Sequence, residues 1–400
     1  MAFGSLFGLW PSSFRAIKGL AISCSKIGQK PAKTKCLQNI CANASDGEFT
    51  AIPIIDFERL LLELHPEPEE EACRGESARL HAACQSGASS RSLINHGVPD
   101  DVIEGMKANI EAFFELPAEM KQQFAQERGQ LEGYGQLFVV SEDQKLDWAD
   151  ILYLNTQPPE QSFKSPAIAS AIDRYSYLCM NLAPEHRSMR FWPDKPDTLR
   201  STLDTYSAAV KTVADRLLGI MSNNLGLPPE VISSKCGGGG MQSVRINYYP
   251  PCTEADKVVG LSPHSDGDLH TLLLQVNQVQ GLQIKRQDGS WVPVRPLQGA
   301  FVVNVGDILQ IFTNGRYRSI EHRAVVSAES ASLSVAAFHS PSNHATIGPR
   351  LTVTDQQEPE VPMYKTLDHQ SFMRLFSAKL EGKSFLQRMK LDLDTASSST

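Results

Sequence analysis

Hydrophobic positions follow two different periods in this chain. From about Glu48 to Met120 a short apolar run, AIPIIDF, has the length of a strand, and it is followed by segments in which apolar residues recur every three to four positions. LLLEL, ARLHAAC and DDVIEGMKANIEAFFELP each predict an amphipathic helix, with Asp100 expected to cap the last of these and Pro117 to follow its end. Residues 200–226 repeat the pattern in one long helix that closes at Asn224 and Gly226.

After the glycine run Gly237–Gly240 the period falls to two. SVRINYY, LHTLLLQV, GLQIKR, SWVPV, AFVVNV, ILQIFT, SIEHRAVV and SLSVAAF predict short strands, punctuated by turn pairs such as Asp288-Gly289 and Asn314-Gly315. So many short strands in so little chain predict a sandwich or jelly roll, and the fold class is mainly β with flanking helices. The expected divisions are a jelly-roll domain over 237–345, a long support helix within 187–236, helices again over 346–391, and an unstructured tail over 392–400.

The chain is 41 % apolar, enough for a large core, but no apolar run reaches the roughly 20 residues that a membrane-spanning helix needs. Its formal charge of −7 provides no basic surface for nucleic acid, which leaves a small molecule as the expected partner. Charge is unevenly spread. Residues 1–45 carry Arg15, Lys18, Lys26, Lys30, Lys33 and Lys35 with no Asp or Glu, so 1–48 reads as a basic extension, either a transit peptide or an unstructured leader. The cytoplasm is the expected compartment, or a plastid or mitochondrion if that leader is a true transit peptide. The eight cysteines form no CxxC pair and fit a reducing compartment.

Candidate chemistry lies in LSPHSDGDLHTLLLQ, where His264 and Asp266 stand two apart. In an extended segment such residues point the same way, so an imidazole nitrogen and a carboxylate oxygen can meet at one point. His322 is the expected third ligand because it lies inside a strand-like run. Two imidazoles and one carboxylate form the facial triad of non-haem Fe(II), although the spacing admits zinc as well. His270, His339 and His344 read as ordinary core or loop residues. In SVRINYY, alternation puts Arg245, Asn247 and Tyr249 on one face, which suits either an anion-binding wall or an exposed edge strand.

RINYYPPC (245–252), PHSDGD (263–268), NVGDILQIFTNGRYRSIEHRAVV (304–326) and AAFHSP (336–341) resemble the plant 2-oxoglutarate- and Fe(II)-dependent dioxygenases, most closely the senescence-related and norcoclaurine-synthase-like branch. IPIIDFERLL, LINHGV, EGYGQLFVVSEDQKLDWAD and LEGKSFLQRMK extend the resemblance over roughly 50–390. It implies a double-stranded β-helix core with a helical N-terminal region over 49–161. It also implies Fe(II), 2-oxoglutarate as co-substrate, ascorbate as an accessory reductant, and oxidation of a small hydrophobic metabolite by hydroxylation, demethylation or desaturation. By the same resemblance His264, Asp266 and His322 match the iron ligands, and Asn247, Tyr249 and Ser334 match the co-substrate residues. Phe338, Tyr134 and Arg245 match positions that line the substrate pocket.

The chain departs from this family in three places. Where the family's Arg-x-Ser motif has arginine, this chain has Ser332. Losing the cation of a buried charge pair costs about 2–5 kcal/mol, roughly 30-fold to several thousand-fold in affinity for 2-oxoglutarate. An impaired enzyme that keeps its metal is therefore the alternative expectation. Gly87-Ala88-Ser89-Ser90-Arg91 replaces an aromatic strand, and it is the peptide obtained when codons for Trp-Gly-Phe-Phe-Gln are read one base later. A compensated frameshift, in the gene or in its sequencing, is the expected origin, and Ser330-Ala331-Ser332 admits a weaker case of the same kind. Residues 162–186 have no counterpart in the family pattern and read as a surface insertion.

Overall fold

The computed structural model describes residues 52–64, 75–86, 90–127, 131–136, 147–157, 189–235, 240–342, 344–349, 361–377 and 385–391. The basic extension, the expected insertion over 162–186, Gly87 to Ser89 and the tail from 392 lie outside the described residues.

In chain order, strand β1 (Ile54–Asp56) leads into helices α1 (Phe57–Leu64) and α2 (Glu76–Gln85), then strand β2 (Ser90–Ile94). Helices α3 (Asp100–Glu115) and α4 (Ala118–Gln122) precede strands β3 (Gly133–Gly135) and β4 (Asp150–Gln157). The long helix α5 (Leu199–Asn224) and the short α6 (Glu230–Lys235) follow. Asp100 does not cap α3: the flanking position is Pro99, with no side-chain cap bond, and Asp100 stands in the first turn beside Asp101. Its carboxylate there favours the positive end of the helix dipole, which is a different contribution from a cap. Beyond Asn224, the chain leaves α5 through Leu225 and through Gly226 at φ +76°, a left-handed conformation that suits glycine.

The β region comprises β5 (Met241–Tyr249), β6 (Leu261–His264), β7 (His270–Gln275), β8 (Leu282–Lys285), β9 (Trp291–Pro293) and β10 (Phe301–Val305). Helix α7 (Asp307–Phe312), β11 (His322–Ala324) and β12 (Ser332–Ser340) complete it. The expected strand ILQIFT is in fact α7. Its apolar positions 308, 309, 311 and 312 are all buried and suit one helical face as well as a short strand, and a run this short does not discriminate between the two. The region expected to be helical after 345 holds α8 (His369–Ser377) and α9 (Phe385–Met389), but also a two-stranded pair, β13 (Thr346–Ile347) with β14 (Leu367–Asp368).

Eight strands form one sheet in the order β1-β2-β10-β7-β12-β5-β4-β3, and four form a second in the order β6-β11-β8-β9. The sheets face one another as a jelly roll, joined by two apolar clusters. One contains Ile151 and Tyr249 with Ala324 and Val326, and the other contains Val302 with Leu282, Ile284 and Val292. Register decides what each face of the large sheet carries. Ile246 pairs with Val335, which pairs with Leu274, and this layer packs under α5, whose buried stripe runs Leu203, Tyr206, Val210, Ala214, Leu217 and Met221. Each fully buried Leu, Ile, Val or Met in this layer contributes about 1.5–3 kcal/mol of burial, which anchors the sheet on its helical side. Arg245, paired with Ala336, faces the other way, toward the small sheet. The helices thus support one face and leave the opposite face free to line a cavity.

Candidate metal centre

His264 ends β6 and His322 begins β11, and the two are direct partners across an antiparallel ladder. Their ring centroids lie 4.3 Å apart. Asp266 stands two residues beyond β6, in the loop to β7, held by its neighbours. Thr271 Oγ1 donates to Asp266 Oδ2 at 2.7 Å, and the Asp307 N–H donates to the Asp266 carbonyl oxygen at 2.8 Å. Asp266 Oδ1 then lies 3.7 Å from His264 Nε2 and 3.6 Å from His322 Nε2. Among the described residues, these three side chains form the cluster whose ligand atoms all fall within 4.8 Å of one another.

The orientation of the two rings follows from their outer contacts. His264 Nδ1 lies 2.8 Å from the Ser262 carbonyl oxygen and His322 Nδ1 lies 3.2 Å from that of Ile320. A carbonyl only accepts, so each Nδ1 donates its proton there and each Nε2 is turned toward Asp266. His264 Nε2 is shut off from solvent and has no hydrogen-bond partner. Burial, reinforced by the neighbouring His322, holds the His264 ring well below the ordinary imidazole range and therefore neutral. Burial alone would raise the Asp266 carboxyl, but His322, His264 and the Thr271 hydroxyl outweigh it and leave the group ionised below its usual range. Two imidazole nitrogens and one carboxylate oxygen converging, with His264 Nε2 left without a hydrogen-bond partner among the described residues, suit a divalent metal, and this donor set is that of the Fe(II) facial triad.

A cavity of about 560 Å³, including the space open to solvent, adjoins these atoms. Arg245, Asn247, Tyr249, Ser332, Ser334 and Phe338 are among the residues lining it. β5 lies between β12 and β4, so its polar face is an interior wall and not an exposed edge. Asn247 Nδ2 donates to Ser334 Oγ at 3.1 Å, while Asn247 Oδ1 is buried without a partner. Burial pushes the Tyr249 hydroxyl up to about 12, so it remains a proton donor. The Arg245 guanidinium lies 5.2 Å from the centre of the Phe338 ring, and its Nε is buried without a partner. Among the described residues, Ser332 Oγ reaches only the Val279 carbonyl, at 3.4 Å.

Tyr134 does not join them. It pairs with Leu152, which pairs with Ile246, so it lies on the helix-facing side of the large sheet, opposite Arg245. There its ring packs on Phe113 and Phe114 and its hydroxyl donates to Asp150 Oδ2 at 3.0 Å. Its position in the chain carries no information about that pairing. Thr271, which orients Asp266, escaped the sequence reading. The available signal was the one found in β5: Thr271 and Gln275 put polar groups on one face of an otherwise apolar strand.

His270 and His339 are core residues, stacked at 4.9 Å on the helix-facing side. Gln242 lies 3.1 Å from His339 Nε2 and donates to the Ser207 carbonyl at 3.0 Å. His344 is exposed.

Residues 240–341 match the 2OG-Fe(II) oxygenase superfamily, and 52–174 match the family described as non-haem dioxygenase in morphine synthesis, N-terminal. The chain is 40 % identical over 343 residues to 2-oxoglutarate-dependent dioxygenase 11 of Oryza sativa subsp. japonica, covering 86 % of this chain and 85 % of that protein. It is 41 % identical over 344 residues to S-norcoclaurine synthase 1 of Coptis japonica, covering 85 % and 86 %. Among solved structures, the crystal structure of JOX2 in complex with 2OG, Fe and JA superposes with a TM-score of 0.70 at 30 % identity, covering 87 % of this chain and 92 % of that one.

Proposed function

The chain belongs to the 2-oxoglutarate- and Fe(II)-dependent oxygenase superfamily and is a dioxygenase of that type, and from this premise we propose that His264, Asp266 and His322 hold its iron for the oxidation of a small hydrophobic plant metabolite. The observation that carries the reading is the convergence of His264 Nε2, His322 Nε2 and Asp266 Oδ1, with His264 Nε2 left without a hydrogen-bond partner among the described residues. Ferrous iron bound there supplies the coupling of dioxygen reduction to decarboxylation of the 2-oxo acid.

The protein's own part is positional. Ser262 and Ile320 fix the two imidazoles by their carbonyls, and Thr271 fixes the carboxylate. Asn247, Tyr249, Ser334 and Ser332 form the co-substrate wall, with the Asn247 carbonyl oxygen and the Tyr249 hydroxyl as polar groups inside it. Phe338 offers a flat apolar face to the substrate, and the unpartnered Nε of Arg245 offers a donor to a substrate oxygen. Leu273 and Ala336 complete the wall between them and keep water out of the cavity's sheet side. The substrate's C–H bond is thereby oxidised by hydroxylation, demethylation or desaturation.

The test is anaerobic Fe(II) titration of the full chain, followed by succinate measurement in air across a set of hydrophobic plant metabolites. One equivalent of iron and metabolite-dependent succinate are expected; no iron uptake would refute the assignment. A second reading, an enzyme impaired in 2-oxoglutarate binding, is favoured by the neutral hydroxyl of Ser332, and it predicts iron uptake without succinate. The cytoplasm is the proposed compartment, and a fluorescent fusion with and without residues 1–45 decides it.

A further inference from the structure

The cavity has its positive charge at one end. Among the described residues lining it, two are cationic, Arg245 and Arg323. Arg245 pairs with Ala336, two residues along β12 from Ser334 and four from Ser332, and its guanidinium stacks on Phe338, two residues further still from both serines. In an extended strand the first two separations are about 7 and 13 Å, so the Arg245 guanidinium is turned toward the Phe338 end and away from Ser332. Arg323 follows His322 in β11 and points to the other side of that strand, where its Nε donates to Gln283 Oε1 at 2.9 Å and its guanidinium lies 4.3 Å from the Trp291 ring centre.

Among the described residues, the serine end is neutral. Ser332, Ser334 and Tyr249 supply hydroxyls, and Leu261, Leu282 and Ala324 supply aliphatic surface. Ser332 and Ser334 are 8 % and 9 % exposed, so an ionised group seated between them loses most of its water. Hydroxyl dipoles do not replace a counter-ion under those conditions, and an unpaired buried carboxylate is strongly disfavoured. An alkyl tail gains from the same surroundings through burial. The metal-facing end of any 2-oxo acid is the same carboxylate and ketone, so the tail decides between acids.

Building on the reading of this cavity as an Fe(II) and 2-oxo acid centre, we propose that the enzyme takes 2-oxo acids with uncharged aliphatic tails as co-substrates, on terms at least equal to 2-oxoglutarate. The overall balance is that of the parent reaction. The C1–C2 bond of the acid breaks, C1 leaves as carbon dioxide, and one oxygen atom of dioxygen enters the shortened carboxylic acid. The other oxygen atom enters the substrate C–H bond in a hydroxylation, and dioxygen takes two electrons from each partner.

The experiment is anaerobic calorimetry on the full chain loaded with Fe(II), titrated separately with 2-oxoglutarate, 2-oxohexanoate and 4-methyl-2-oxopentanoate. At least one uncharged-tail acid is expected to bind as tightly as 2-oxoglutarate or more tightly. In Ser332→Arg, 2-oxoglutarate is expected to tighten by about 30-fold or more while 2-oxohexanoate does not, as restoring one cation to a buried pair implies. Tighter binding of 2-oxoglutarate than of both other acids to the unaltered protein overturns the inference, whether or not the variant folds. Iron uptake with no binding of any acid overturns it too but leaves the metal site standing, whereas failure to take up iron refutes the site reading itself.

Discussion

Thr271 Oγ1 donates a 2.7 Å hydrogen bond to Asp266 Oδ2, which leaves Oδ1 as the oxygen facing both imidazoles. Such an outer contact sets the direction of a ligand without touching the metal. Thr271→Val keeps the shape and removes the donor, so Fe(II) affinity is expected to fall about 10–100-fold, with Thr271→Ser recovering most of it. Anaerobic competition against a colorimetric chelator measures both. Equal affinity in all three proteins would show that Asp266 is held by its backbone alone.

The backbone contribution comes from a close approach at Gly306. A Cβ there would lie 2.1 Å from the Asp268 carbonyl oxygen and 2.7 Å from its carbon, and neither atom can swing away as a side chain would. At φ −95° the residue needs no special conformation, so the constraint is one of space alone. Gly306→Ala is expected to push the Asp266–Asp268 loop outward, to lower stability by about 1–3 kcal/mol and to leave less than one equivalent of bound iron. Thermal unfolding with metal analysis tests it, and full occupancy at unchanged stability would count against the tight contact.

Acid sensitivity follows from the buried histidines away from the metal centre. Burial, with Arg91 and Lys211 adding to it, lowers His270 to about 3, and burial lowers His369 to about 4. His339 is also held well below its ordinary value by burial and by His270. In the unfolded chain these rings take up protons as the pH drops through about 6.5, and the folded protein declines them, so acid favours unfolding. Stability is expected to fall between about pH 6.5 and 4, by roughly 1.4 kcal/mol per pH unit for each such group. Denaturant titrations at pH 7 and 5 should show the loss, and His369→Leu should flatten it; a curve indifferent to that substitution would contradict the assignment.

Arg91 has no exposed surface and sits in the middle of β2, donating to Cys84 Sγ and, at 3.4 Å, to the Val303 carbonyl oxygen. Taking a guanidinium out of water is costly even when it is partnered, so Arg91→Met is expected to raise stability by about 1–4 kcal/mol in urea unfolding. That direction accords with a strand whose residues came from a shifted reading frame. A loss of stability would instead mark Arg91 as an established part of the core, and independent transcript reads across 87–91 test the origin directly.

The periods of two and 3.6 are local properties, so most strands and the long helix were legible from residue spacing, and so were the alternating face of β5 and the pairing of His264 with Asp266. Spacing failed where both periods suited a short apolar run, as in α7. The resemblance supplied the family, the co-substrate and the unusual serine at 332. Tertiary structure alone decided that His322 stands opposite His264 and that Thr271 reaches Asp266. It also sent Tyr134 to the helix-facing side, away from Arg245. These outcomes depend on which strands pair and in what register, and register is set by burying a whole face at once. No single residue's neighbours in the chain contain that information.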